Sequence, residues 1–315
     1  MPPTLRLMLE PHMGGTYAQL LALARAAESA GYDAVFRSDH LRPGGSELRR
    51  PALEAWTTLA ALARDTQRIR LGSLVSPVTF RHPSVLAREV ATVDELSGGR
   101  VELGVGAGWF EAEHTTLGIA FPPLRERTDR LAEAVEVMTR LWTGEPVSYE
   151  GRWYRLDGAQ ALPRPVQDPL PLIVGGLGGA RSVALAARHA AEYNTTSADP
   201  ATAAQAYARA REACERIGRD PATLRLSWMG TVLVAPDQAA LRRRAARVAT
   251  WTGSPGEDPD GLISQLTPRS VVGLPEQAAE KLQAYAQAGA QRVYARIWDW
   301  DDLDQISEIA VLLGD

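Results

Sequence analysis

The chain has 315 residues, 45% of them apolar and 23% charged, with a net charge of −4. Such proportions fit a soluble globular protein and leave no basic surplus for nucleic acid; the short run RRRAAR (242–247) reads as a solvated helix face. A single cysteine, Cys214, excludes an internal disulfide and suits a reducing, cytoplasmic setting, and neither a leader peptide nor an eighteen-residue apolar span is expected.

Short apolar runs alternate with helical patterns along the chain. LRLMLEP (5–11) is strand-like, and TYAQLLALARAAESAG (16–31) repeats its apolar residues every three or four positions before Gly31 stops it. DAVFRSD is the second strand and EAWTTLAALARDT (54–66) the second helix. RIRLGSLVSP (68–77) is the third strand, and Pro83 opens the helix that ends at Gly98 and Gly99. RVELGVGAG (100–108) and LRERTDRLAEAVEVMTRLW (124–142) make the fourth pair.

The rhythm then breaks. EPVSYEGRWYRLDG (145–158) alternates with period two around Glu150 and Gly151, which predicts a hairpin. Strand–helix alternation resumes with PLPLIVGG (169–176) and the helix after it, then YNTTS (193–197) and its helix. LRLSWMGTVLVA (224–235) is the seventh strand, and residues 236–270 combine a helix with a loop rich in Gly, Pro and Asp. A helix over 275–289, the eighth strand QRVYARIW (291–298) and a last helix close the chain. Eight strands with intervening helices predict one (β/α)8 TIM barrel over residues 1–315, with insertions at about 144–168 and 236–270. No GxGxxG follows the first strand, which argues against a doubly wound dinucleotide fold.

In such barrels the active site forms at the C-terminal ends of the strands. Strand two ends there in Asp39 and His40, and histidine is the side chain that exchanges protons near neutral pH. Strand three ends in GSLVSPVTFRHP, with Ser73, Leu74 and Ser76 at its tip. Strand four ends in GVGAGWFEAEH, where Gly106 and Gly108 leave the backbone open to a flat ligand and Trp109 and Phe110 follow. Strand five runs into the loop of Gly175, Gly176, Leu177, Gly178 and Gly179, whose amides at a helix start suit an anion. A plain packing role for that loop stays open. Together these ends predict a slot for a flat, phosphorylated cofactor. The substrate side is expected to be lined by Trp109, Phe110, Trp228, Trp251, Arg296 and Trp298. The five histidines show no metal-ligand spacing, so no metal is expected.

SDHL, GSLVSPVTFRHP, LSGGRVELGVGAGWFEAEH, EGRWYRL and LPLIVGG resemble the luciferase-like flavin and deazaflavin oxidoreductases over nearly the whole chain, and the branch using coenzyme F420 in particular. The resemblance implies that Asp39 and His40 meet the deazaflavin and the reacting substrate. It also implies a non-prolyl cis peptide between Ser73 and Leu74 or one bond away, a phosphate on Gly175–Gly179, and Thr196 facing the pocket. Trp109 stands where the sugar-phosphate dehydrogenases of the family carry a catalytic glutamate. Lys281, the one lysine of the chain, falls on an outer helix, so the lysines with which those enzymes hold a sugar phosphate have no counterpart. The expected reaction is hydride transfer between F420 and a small organic substrate. His40 would be proton donor or acceptor, Asp39 would orient it, and Arg81 at the rim would meet the acidic cofactor tail. An FMN-dependent monooxygenase fed by a separate reductase is the alternative, and a non-catalytic flavin-binding barrel a third reading. A homodimer without nucleic-acid or membrane partners is expected.

Overall fold

The computed structural model describes residues 2–44 and 50–312. Its strands are β1 (Thr4–Leu9), β2 (Ala34–Arg37), β3 (Arg70–Pro77), β4 (Val101–Gly106), β5 (Val147–Glu150), β6 (Arg155–Ala159), β7 (Leu172–Gly175), β8 (Glu192–Thr196), β9 (Arg225–Val234), β10 (Val271–Gly273) and β11 (Arg292–Arg296). Its helices are α1 (Tyr17–Ser29), α2 (Ala55–Asp65), α3 (Pro83–Ser97), α4 (Glu111–Leu117), α5 (Leu124–Leu141), α6 (Ala180–His189), α7 (Pro200–Arg216), α8 (Gln238–Thr252), α9 (Pro259–Leu266), α10 (Pro275–Ala288) and α11 (Asp304–Val311).

Eight parallel strands pair in the order β9, β11, β1, β2, β3, β4, β7, β8, and β8 pairs back onto β9 to close a (β/α)8 barrel. Closure leaves no free sheet edge, and because helices cover the outer face while the core fills the inner one, the strands read as near-continuous apolar runs. The hairpin β5–β6 occupies the first expected insertion, after α5. The second holds α8, α9 and β10, and β10 adds to the outer part of β9. Capping side chains mark several helix starts: Thr16 for α1, Glu54 for α2, Asp199 for α7 and Asp237 for α8. Two starts on the strand-end face, those of α4 and α6, have no side-chain cap.

Period two sorts the side chains of each strand between the helices and the barrel interior. Lowest inside, Arg6 donates to both carboxylate oxygens of Glu102 (2.6 and 2.9 Å) and to the Tyr294 hydroxyl (3.0 Å), which itself donates to Glu192 (2.7 Å). Arg292 pairs with Glu192 (2.5 Å), Arg70 with Glu102 (2.5 Å) and Arg6 also with Asp33 (2.6 Å), so three guanidinium groups face three carboxylates. Above it lies an apolar layer of Met8, Phe36, Leu74, Ile173 and Met229. The remaining mouth is open. Among the described residues, no helix is long and apolar enough to cross a membrane, and no three His, Cys, Asp or Glu side chains are grouped to hold a metal ion.

Candidate active site

The mouth is a cavity of about 540 Å³ built from strand ends. β1 delivers Glu10, β2 Ser38 and His40, β3 Leu74, Val75 and Pro77, and β4 Gly106 to Trp109. β7 contributes Gly175 to Leu177, β8 Asn194 and Thr196, β9 Met229 and β11 Arg296. One wall is a bulge in β3. The register against β4 shifts between Ser73 and Ser76, and the Leu74–Val75 peptide is cis, one bond beyond Ser73–Leu74. A Cβ on Gly106 would stand 2.6 Å from a Val75 methyl, and one on Gly104 would stand 2.3 Å from the Ser73 carbonyl oxygen. These glycines therefore make room for the bulge. Gly108 is required by its own backbone, at φ 79°.

His40 sits in this wall. Its Nδ1 lies 2.9 Å from Glu113 Oε1, and Glu113 Oε2 accepts from the Leu41 amide at 3.1 Å. A carboxylate can only accept, so Nδ1 carries the hydrogen and Nε2 is left for a ligand. Burial opposes protonation of His40, but the hydrogen bond and charge of Glu113, with smaller help from Glu10 and Asp39, outweigh it and raise the pKa above the usual value. Trp109 and Phe110 set their rings edge-on to the imidazole at 5.7 and 6.0 Å.

His12 packs against His40 at 4.6 Å between ring centroids. Its Nδ1 lies 3.1 Å from the Ser38 hydroxyl. Burial dominates here and pushes the pKa down to about 4 despite the charge of Glu10, with His40 lowering it further. The two imidazoles are thus shifted in opposite directions from the ordinary value. Glu10 lies 3.6 Å from Arg296, whose guanidinium also donates to Thr231 (3.2 Å) and rests over Trp298. Burial raises the Glu10 pKa, but His12, Arg296 and His40 more than cancel this and leave it lowered.

The luciferase-like monooxygenase family model matches residues 5–292. The chain belongs to this family. It is 43% identical over 185 residues to an F420-dependent glucose-6-phosphate dehydrogenase of Nakamurella multipartita, a match covering 57% of this chain and 52% of that one. It is 34% identical over 250 residues to an F420-dependent hydroxymycolic acid dehydrogenase of Mycobacterium tuberculosis, covering 78% and 67%. This chain thus spans only about half the length of the glucose-6-phosphate dehydrogenase relative. Two solved structures share its fold. An F420-dependent secondary alcohol dehydrogenase holding an F420–acetone adduct superposes with a TM-score of 0.84 at 22% identity over 100% of both chains. The coenzyme F420-dependent tetrahydromethanopterin reductase of Methanopyrus kandleri gives 0.83 at 20% over 98% of both.

Within this luciferase-like barrel, several expected site residues take places other than those read from sequence. Asp39 is buried and engaged with Arg81 through both oxygens (2.6 and 3.2 Å) and with the Ser76 hydroxyl (2.7 Å); the carboxylate bonded to His40 is Glu113. Arg81, expected at the rim, is spent on Asp39, Glu54 and Glu89. Ser73 and Ser76 are fully buried outside the cavity lining, with Ser76 accepting from Trp56 of α2, while Leu74 lines the cavity. Trp228 points outward and stacks on Tyr285 of α10 at 4.1 Å, because strand parity turns its neighbour Met229 inward. Trp251, on α8, stacks on Trp300 (5.8 Å) away from the cavity lining. Trp298 braces Arg296 from behind and donates to Thr231 (3.1 Å). Trp109, Thr196 and Arg296 do line the cavity, and Phe110 stacks on Trp109 at its edge.

In the glycine loop, two amides are already committed. Gly176 donates to the Asn194 carbonyl (2.9 Å) and Gly178 to the Tyr193 hydroxyl (2.8 Å). A Cβ on Gly176 would meet Ser182 Oγ at 2.6 Å and the Tyr193 hydroxyl at 2.7 Å, so glycine is needed there for packing. One step further on, α6 starts with Gly179 as its cap residue and without a side-chain cap on its first-turn amides.

Proposed function

We propose that this chain is an oxidoreductase that uses coenzyme F420 to move hydride to or from a small organic substrate, with His40 as proton donor or acceptor. The observation that carries the reading is His40 itself, in the cavity wall with Nδ1 tied to Glu113 and Nε2 left for a ligand. The F420 enzymes among the relatives and fold neighbours support the same cofactor. The chain's residues fit such a group: Leu74 and Val75 offer an apolar wall to a flat ring, and the first turn of α6 offers amides to a phosphate. When bound, the deazaflavin supplies the hydride chemistry. His40 moves the accompanying proton through Nε2, and Glu113 holds the ring. Trp109 and Phe110 shield one side of the imidazole.

The cation balance favours an uncharged substrate over a sugar phosphate. Arg296 is offset by Glu10, and Lys281 is spent on the Pro268 carbonyl. A homodimer belongs to the same proposal and is checked by sedimentation. Titrating the purified protein with F420 and FMN tests the cofactor; tighter FMN binding would transfer the reading to a reductase-fed monooxygenase. Screening secondary alcohols with oxidised F420, and activated alkenes and imines with reduced F420, tests the substrate class. Tight binding with no turnover on any of them would leave a non-catalytic barrel.

A further inference from the structure

We infer that Glu113 is a positioning residue: from α4 it fixes the tautomer and ring plane of His40, with the His12 ring packed behind it. The inference rests on the reading of His40 as the proton-transfer group.

Four observations converge on it. Glu113 is almost wholly buried, at 1% exposure, although a carboxylate is costly to bury without partners. Both of its oxygens are engaged, and both engagements are with one short segment: His40 Nδ1 at 2.9 Å and the Leu41 amide at 3.1 Å. Gripping the backbone and the ring of adjacent residues locks position as well as protonation state. α4 is itself anchored by its next residue, since His114 Nε2 lies 2.7 Å from Thr79 Oγ1 and its Nδ1 donates to the Phe110 carbonyl at 2.8 Å. Finally, the His12 ring packs at 4.6 Å against His40 and blocks the ring from turning toward β1.

The charged and titratable groups around His40 come from every adjoining element. Glu10 follows β1 directly and His12 comes two residues later. Asp39 is next in the chain, already bound to Arg81, and Arg296 reaches over from β11. Of these, Glu113 alone is hydrogen-bonded to the His40 ring. A second imidazolium beside His40 would repel its charge, so a neutral His12 allows His40 to carry the proton. With Nδ1–H donating to Glu113, the neutral ring presents an unprotonated Nε2 to the cavity. Protonation at Nε2 then makes it an acid without any rotation.

The test uses the full-length protein with isotope-labelled histidines. In cofactor-free wild type, ring nitrogen shifts should show neutral His40 as the Nδ1–H tautomer; an Nε2–H tautomer overturns the inference without any variant. In Glu113→Gln the charge is lost at nearly constant shape, and the His40 pKa should fall by about one unit or more. An unchanged His40 titration in a folded E113Q overturns it. The reaction is read separately by single turnover at saturating F420. E113Q should slow that turnover about tenfold or more and move its pH profile toward acid, as a displaced proton-transfer group requires. If the titration shifts as expected but His40→Ala turns over normally, Glu113 still positions His40 and the catalytic reading of His40 fails instead.

Discussion

Asp39 and His40 are adjacent in the chain, yet their side chains serve different networks: Asp39 clasps Arg81 behind the cavity lining, while His40 reaches Glu113 in its wall. The first contact is a bidentate ion pair among buried groups, and the second is a hydrogen bond at the cavity surface. Substitutions at these neighbours should therefore fail in different ways.

Asp39→Asn removes a charge that faces Arg81 and accepts from Ser76. Hydrogen bonds to charged groups are worth about 1.5–3 kcal/mol, and a loss of that order in urea denaturation is expected. The pH profile of turnover should move toward acid by less than in Glu113→Gln, because Asp39 is the smaller contributor to the raised His40 pKa. A normal denaturation midpoint with turnover collapsed would place Asp39 in the chemistry after all.

His40→Ala should leave the fold intact and slow single turnover by about 10² to 10⁴. Saturating cofactor separates this from weaker binding. A variant that melts early yet turns over at the wild-type rate would make His40 a packing residue.

At the start of α6, Ala180→Pro deletes one first-turn amide while keeping the helix, since proline suits the first helical position and Gly179 before it is extended (φ −62°, ψ 138°). Cofactor affinity should fall about tenfold, equivalent to about 1.4 kcal/mol. A phosphate-free deazaflavin should bind both proteins equally. Equal F420 affinity would remove the phosphate from this helix. Gly176→Val is a poorer probe, because its Cβ collides with Ser182 and Tyr193 and should cost about 1–3 kcal/mol of stability by overpacking.

His12 links stability to pH. Its folded pKa of about 4 lies below the ordinary 6.5, so the fold favours the neutral ring. That contribution is complete above pH 6.5 and is lost as pH falls toward 4, on the order of 3 kcal/mol in all. His40, with its pKa raised, acts in the opposite sense: its contribution is present at low pH and fades as pH rises through the folded value. His12→Gln should flatten the decline between pH 6.5 and 4 in denaturant midpoints. A slope identical to wild type would show that other groups carry it.

The barrel was legible because eight apolar runs and their helices repeat in order, and because Gly98, Gly99 and Pro83 punctuate them. Parity was harder. LRLSWMGTVLVA has no polar alternation from which to decide whether Trp228 or Met229 faces inward; only pairing with β8 and β11 settles it. The helix carrying Glu113 escaped notice because it is seven residues long and begins without a capping side chain at Phe110. Its bond to His40 spans 73 positions, a distance over which local pattern says nothing. A faint signal existed: an apolar strand ending in glycines and followed by EAEH brings carboxylates to the face where His40 already stood.

The ionic layer of Arg6, Glu102, Glu192 and Tyr294 gives the barrel a closed floor, so ligands reach the interior from the strand-end face. Two ligands sharing the mouth must then queue. The one lying deeper, against Leu74 and Met229, enters first and departs last, and the shallower one exchanges while the other waits. If the proposed F420 reaction holds, its kinetics should show compulsory order, with product inhibition patterns that name which ligand holds the inner seat.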